Sequence, residues 1–351
     1  MKAAVIEQYQ RDLVMHYDLA TPECSPEGAL IKVSACGVCR SDWHGWQGHW
    51  DWIGFKPQLP AVLGHEMVGE ILEVGSQVRR FKRGDRIIAP FNLGCGHCEQ
   101  CSGGHQNVCD NFSAIGFHMS GGFGEFVHVP RADINLVSLP ESISDHSGAA
   151  LGCRYMTSYH GVVHEGEARP GEWVVVYGSG GVGLAAVEIA TQLGAQVIAV
   201  ARSDRKLEQA KALGAAAVLR FHPKVGEEII ELTKGGAHLS LDCLGKKETC
   251  QQSILSLRTR GRHVQLGLTT AEEKGEIALP VDVMVAKELV LRGSLGMQPH
   301  RYPEMLAQVM LGRLNPSRMI SQTIQAEEIS RTLTAMTTYQ TDGFVVVDWK
   351  K

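Results

Sequence analysis

Hydrophobic and polar positions divide the chain into two textures. Over residues 1 to about 150, short alternating runs are broken by Gly, Pro and Asp, and residues 29–35, 68–74 and 86–90 read as strands between turn signals. This stretch predicts a β-rich domain with long loops. The texture changes near Gly148. From Trp173 onward, apolar runs of strand length alternate with stretches of helical period. Residues 173–177 read as a strand, 182–193 as a helix, 197–201 as a strand and 205–213 as a helix; 216–219, 227–233, 239–243, a helix near 248–255 and 262–266 continue the series. Such alternation predicts an α/β fold with a parallel sheet covered on both faces, 288–293 being its last strand. The tail carries helices at 302–311 and 328–338 and a strand at 344–348, and no internal repeat or low-complexity segment appears.

At 351 residues the chain has room for two domains, each with its own core. Hydrophobic content of 44%, charged content of 21% and a net charge of −4 are ordinary for a soluble globular protein. No basic stripe argues for nucleic acid as a partner. No apolar run approaches the ~18 residues of a membrane span, and MKAAVIEQYQ lacks an apolar signal core. The expectation is a cytoplasmic protein with neither membrane nor nucleic acid as partner. Ten cysteines in a reducing compartment then read as metal thiolates rather than disulfides.

Cys95, Cys98, Cys101 and Cys109 form a C-x2-C-x2-C-x7-C ladder. Its short steps bring four thiolates into one volume, which suits a closed tetrahedral zinc site. An iron–sulfur cluster and disulfides are the alternatives. A ferredoxin pattern places its fourth cysteine sooner and follows it with Pro, whereas Cys109 is followed by Asp110. A second set of soft ligands, Cys39, His65 and Cys153, lies elsewhere, and three ligands with an open position make a catalytic zinc site. Cys153 is far from the other two in sequence, and a lone apolar-flanked cysteine otherwise reads as core. Cys24, Cys36, Cys243 and Cys250 have no ligand-like spacing.

Gly178, Gly180, Gly181 and Gly183 lie in a Gly178-Ser179-Gly180-Gly181-Val182-Gly183 turn between the strand WVVVY and the next helix. Strand before, helix after and a second β-unit behind are the context that a dinucleotide fingerprint needs; alone, the motif would be a plain Gly-rich turn. Absent side chains let the backbone approach a pyrophosphate at the helix N-terminus. About 20 residues on, an NAD site carries Asp or Glu at the end of the second strand. Here Ala201 stands at that place, followed by Arg202 and Ser203. A cation and a hydroxyl suit a 2′-phosphate, so NADP(H) is expected, with NAD(H) as the alternative; Ser203 also fits as a cap of the next helix.

Gly37-Val38-Cys39-Arg40-Ser41-Asp42-Trp43-His44 and Gly64-His65-Glu66 complete a pattern. With the cysteine ladder, Cys153 and the glycine turn, the chain resembles the zinc-dependent alcohol dehydrogenases of the medium-chain dehydrogenase/reductase superfamily, essentially end to end. The resemblance implies a GroES-like catalytic domain over residues 1–154 and 296–351 holding both zincs, and a Rossmann cofactor domain over 155–295, with the active site in the cleft between them. It implies Cys39, His65 and Cys153 as ligands of a catalytic zinc that acts as a Lewis acid on the alcohol oxygen, with hydride passing to the nicotinamide. It places Glu66 behind the metal and makes Asp42 the carboxylate that orients the ligand histidine. Ser41 would take the alcohol proton and His44 would relay it through the cofactor ribose, a role suited to a side chain whose pKa lies near working pH. Thr157 and Val182 match positions that pack on the nicotinamide, Arg40 a contact to the pyrophosphate, and Gly267 and Ser294 segments that approach the carboxamide. Relatives often carry Arg or Lys after the glycine of the C-terminal strand; here Phe344 follows Gly343. A homodimer or homotetramer is implied as well.

Four of the six tryptophans, Trp43, Trp46, Trp50 and Trp52, fall within ten residues. Trp43 and Phe91 suit a substrate pocket for a hydrophobic alcohol or aldehyde, although a packed loop or a subunit contact would use the same residues. Two other activities stay open at this stage: reduction of an activated C=C bond on the same fold, and cofactor binding without turnover. The Ser41/His44 pair and the complete ligand set argue against each in turn.

Overall fold

The strand Ala29–Val38 is the spine of the first unit. Nine of its ten positions are buried and only Lys32 is exposed. A strand covered on both faces does not alternate, which is why the pattern 29–35 stops short of its true end. It pairs antiparallel with Glu66–Val74 along one edge, and with Phe126–Val129 and Phe344–Asp348 along the other. The C-terminal strand is buried throughout and joins Ile320–Ile324 in parallel. The register sets Gly37 opposite Glu66, and the strand ends at Val38, one residue before Cys39, the N-cap of the helix Arg40–Gln47.

This is a computed structural model describing residues 1–350. Its chain divides into two units, Met1–Met156 with the stretch from Gly296 onward, and Thr157–Leu295. A side hairpin of the first unit, Asn92–Leu93 paired with Ser113–Ala114, frames the cysteine ladder.

The second unit is a six-stranded parallel sheet. Numbering its strands along the chain, Trp173–Tyr177 is first, then Gln196–Ala201, Ala217–Arg220, Ala237–Asp242, Leu257–Gln265 and Val290–Gly293, and the spatial order is 3-2-1-4-5-6. The helix Gly181–Gln192 packs on the first two strands, and Lys247–Leu255 on the fourth and fifth. The order reverses between strands one and four, the switch point at which such sheets bind ligands. The fifth strand begins five residues before the stretch 262–266 expected from the sequence. Arg258, Thr259 and Arg260 are exposed there, Arg260 has φ 60° and the register shifts against its neighbour, so neither alternation nor an apolar run marks that start.

Candidate active site and metal centres

Cys39, His65, Glu66 and Cys153 present ligand atoms within 4.8 Å of one another, and all four residues are buried. Asp42 ties the cluster together from the third position of the helix Arg40–Gln47. Its Oδ2 accepts from the Cys39 backbone N–H at 2.8 Å. Its Oδ1 accepts from Gly64 N–H at 3.0 Å and from His65 Nδ1 at 2.8 Å. Nδ1 therefore carries the proton, and Nε2, buried without a hydrogen-bond partner, points its lone pair into the cluster. An orphaned imidazole nitrogen beside two thiols is what a Cys2His metal site requires of its donors. The hydrogen bond between the thiols lowers Cys39 well below the thiol range, and Cys153 is raised correspondingly. The pair shares one proton, which metal binding would release.

Glu66 lies against this set, held by a residue that sequence reasoning missed. Arg154 donates from Nε to both Glu66 oxygens at 2.8 and 3.1 Å, and from Nη2 at 2.5 Å, and its own backbone N–H meets Oε1 at 3.1 Å. Burial lifts the Glu66 pKa to about 7 against the pull of the guanidinium. A Cβ at Gly37 would stand 2.0 Å from Glu66 Oε2, so the carboxylate occupies space that only a glycine leaves open.

In the ladder, the four sulfurs also lie within 4.8 Å of one another. Cys98 and Cys109 Sγ are 3.7 Å apart, and Cys95 and Cys101 Sγ 4.0 Å. A tetrahedron with ~2.3 Å zinc–sulfur arms has edges of roughly 3.8 Å, and these separations are too long for disulfides. The backbone N–H groups of Cys95, Cys98, Cys101 and Asn111 point at sulfur at 3.2–3.4 Å, as thiolates require. The donors fit zinc.

In the second unit, Gly178 has φ 95°. A Cβ on Gly183 would lie 1.6 Å from the Gly178 carbonyl oxygen, whereas one on Gly180 would meet nothing within 4 Å. One glycine permits tight helix packing and the other leaves space over the N-terminus of the helix Gly181–Gln192. Asp242, at the end of the fourth strand, accepts from Leu244 and Gly245 N–H and shapes the facing loop. A Cβ at Gly267 would come within 2.4 Å of Gly245 N. Ser179 and Ser294 hydroxyls are buried without partners. Ala201 ends the second strand; Arg202 and Ser203 follow it, both exposed, and the Arg202 guanidinium is 5.6 Å from the Phe221 ring centroid. Thr157 is buried here, and Ser158 Oγ donates to the Val182 carbonyl at 2.7 Å.

Comparison with known proteins follows this division. Residues 25–141 match the alcohol dehydrogenase GroES-like domain, and residues 181–310 the zinc-binding dehydrogenase family. An alcohol dehydrogenase of Geobacillus stearothermophilus is 36% identical over 296 residues, 84% of this chain and 85% of that one. The chain belongs to the zinc-dependent alcohol dehydrogenases. Among solved structures, an NAD-dependent alcohol dehydrogenase superposes with a TM-score of 0.88 at 30% identity, over 99% of both chains. A zinc-binding dehydrogenase from Sinorhizobium meliloti 1021 bound to NADP gives 0.84 at 30% identity, over 99% of this chain and 98% of that one. The protein is thus an oxidoreductase of alcohols and carbonyl compounds built from a GroES-like and a Rossmann domain.

Within this zinc-dependent alcohol dehydrogenase, several expected residues are already engaged. The Arg40 guanidinium lies 3.6 Å over Trp43 and 4.7 Å from Tyr339, and it donates to the Met336 carbonyl. Trp43 donates Nε1–H to Thr337 at 2.9 Å and Trp46 to the Arg11 carbonyl at 2.6 Å, which is the packed-loop use of those aromatics. Phe91 stands edge-on to His65 at 5.8 Å, and Phe117, which the sequence did not flag, tilts against His65 at 5.6 Å. Ser41 is half-buried, its Oγ 3.8 Å from Cys39 Sγ. At the position after Gly343, where relatives often carry a cation, Phe344 packs under Arg154, whose guanidinium lies 3.9 Å over the ring and reaches the Gly343 carbonyl at 3.4 Å. The expectation that His44 titrates near working pH is corrected. Burial, then Arg40 and His49, push it down to about 3, so it stands neutral at working pH.

Proposed function

We propose that this alcohol dehydrogenase holds two zinc ions per chain and interconverts alcohols with aldehydes or ketones using NADP(H). The reading rests on one observation above others: a buried Cys39–His65–Cys153 set whose only histidine is fixed at Nδ1 by Asp42 and open at Nε2. When bound, zinc supplies a Lewis acid for the substrate oxygen and the nicotinamide supplies a hydride acceptor or donor. The protein's own residues do the rest. Asp42 holds His65 and the Cys39 backbone in one frame. Ser41 and neutral His44 take the hydroxyl proton, and Glu66 remains behind the donor set on Arg154. Trp43, Phe91 and Phe117 give the surroundings an apolar, aromatic character. Cys95, Cys98, Cys101 and Cys109 hold the second, structural zinc.

NADP is favoured by Ala201, which places no carboxylate against a 2′-phosphate, and by the exposed Arg202 and Ser203 beside it. The glycine turn with Gly267 and Ser294 would frame the dinucleotide, Thr157 and Val182 its nicotinamide end; Arg40 would meet pyrophosphate only after leaving its aromatic stack. Among the described residues, no helix is long and apolar enough to cross a membrane. We place the enzyme in the cytoplasm as a homo-oligomer.

A panel of alcohols and aldehydes, run with NADP and NAD and followed at the nicotinamide absorbance, tests the reading together with metal analysis. Two zincs per chain, alcohol turnover and at least tenfold higher kcat/KM with NADP are expected. A single zinc, or a tenfold preference for NAD, would overturn the corresponding part.

A further inference from the structure

His44 does not stand alone. Its Nδ1 faces Nδ1 of His49 at 3.0 Å, across the C-cap of the helix Arg40–Gln47. His49 reaches this place because Gly48 closes the helix in the left-handed conformation with φ 74°, and His49 N–H is bonded back to the His44 carbonyl at 3.0 Å. The two rings differ in exposure. His44 is 8% exposed, stacked on Trp50 at 4.2 Å and edge-on to Trp43 at 4.8 Å. His49 lies half-exposed, edge-on to Trp43 at 5.4 Å. A buried imidazole thus touches one that borders solvent, and aromatic rings flank the pair.

Two Nδ1 atoms at this distance share a single proton, because one must donate and the other accept. That contact occupies one nitrogen of His44 and leaves Nε2 as its nitrogen for the reaction. From this geometry we propose that His49 carries the substrate proton onward from His44 to water, so that proton transfer to bulk solvent runs along a two-histidine wire. The inference rests on the reading of His44 as the proton acceptor.

The steps balance. In alcohol oxidation a proton arrives at His44 Nε2, the Nδ1–H of His44 passes to His49 Nδ1, and His49 Nε2–H leaves to water. Carbonyl reduction runs the same transfers backward. Each passage leaves the two rings in the opposite tautomers, and exchange of their ring protons with water, one nitrogen losing a proton and the other gaining one, restores the start. The charged groups around the pair favour a carrier over a reservoir. Burial and Arg40 lower both histidines, while the Cys39 thiolate pulls His44 weakly the other way. Neither ring then holds the proton for long, and the half-exposed ring is the one from which it escapes.

The test compares His49→Gln, His49→Phe and His44→Gln in the zinc-loaded enzyme. Glutamine at 49 still offers a hydrogen bond to His44 but cannot pass a proton. On the general acid–base scale, kcat should fall on the order of tenfold or more in His49→Gln and His49→Phe. KM should change less than twofold, the solvent deuterium isotope effect on kcat should rise, and added imidazole should restore turnover. In the metal-free, cofactor-free protein, nitrogen-15 spectra should show one proton shared by the Nδ1 pair, lost in either glutamine variant. Wild-type kcat in His49→Gln, with His44→Gln slow, would overturn the His49 role alone. Unchanged turnover in His44→Gln would overturn the reading beneath it. A loss in His49→Gln that imidazole does not relieve, with the isotope effect unchanged, would mark a packing role and equally sink the proposal.

Discussion

At the scale of single residues, the decisive feature of the site is a buried charge pair that no motif announces. Glu66 is fully buried and Arg154 is 5% exposed. Taking both charges out of water is costly, and the bidentate geometry offsets that cost only while both partners are present. Arg154→Met would leave Glu66 without its cation, and removing one partner of such a pair costs ~3–5 kcal/mol. Urea unfolding at pH 7.5 should show that loss in Arg154→Met, and Glu66→Gln in the same chain should recover most of it. A single variant as stable as wild type would mean that Glu66 sheds its charge at no cost. Arg154 follows Cys153 directly, so its position was visible in the sequence. Its burial was not, since an arginine beside a ligand reads equally well as a solvated cation.

At the scale of elements, the loop 95–112 is a segment whose core is a cluster of thiols, the site proposed for the second zinc. Its buried apolar cluster consists of Cys95, Cys101 and Cys109, with Cys98 and Phe112 packed against it. Without metal the four sulfurs do not ionise alike: backbone N–H groups bring Cys95 down to about 5, and burial raises Cys101 to about 12. Metal binding there would displace protons and supply the folding energy that a thiol cluster lacks. Cys98→Ser is expected to lower zinc from two to one per chain and to open this loop to protease between residues 95 and 112. Mass spectrometry of limited digests checks this; an intact loop with one zinc would show that protein contacts suffice. Here the sequence was most legible, because ladder spacing is local. The helix Arg40–Gln47 was legible only as a string of motif residues, since its apolar stripe is interrupted by Asp42 and His44, both buried for the sake of the site.

At the scale of the whole molecule, the parallel sheet of the second unit gives stability a pH dependence. His263, on the fifth strand, is buried with Nδ1 within 3.1 Å of the Ser240 and Ser253 hydroxyls and Nε2 3.2 Å from Gln265 Oε1. Burial lowers its pKa from 6.5 to about 4. Between those values the unfolded chain binds the extra proton and the native one does not. Stability is therefore complete above pH 6.5 and declines as pH falls toward 4, by about 3 kcal/mol for this group. Unfolding in urea at pH 7.5 and pH 5 should show a smaller difference in His263→Gln than in wild type; equal differences would assign the pH dependence to other groups.

Local chemistry is what the sequence alone determined. Four closely spaced cysteines, a glycine turn between an apolar strand and a helix, and β–α alternation each depend on neighbours within a few tens of residues, and they predicted a thiolate metal site, a dinucleotide turn and an α/β architecture; with the motifs around Cys39 and His65 they carried the resemblance to the zinc-dependent alcohol dehydrogenases. The tertiary structure decided what depends on residues far apart in the chain. Only the pairing of Gly37 with Glu66 explains the missing side chain, and only the fold brings Arg154 to Glu66 across 88 positions. Burial likewise set protonation: the same residue type lies near 3 at His44 and near 4 at His263 because each is removed from water. Dielectric surroundings belong to packing, and packing is written in contacts that a linear pattern does not contain.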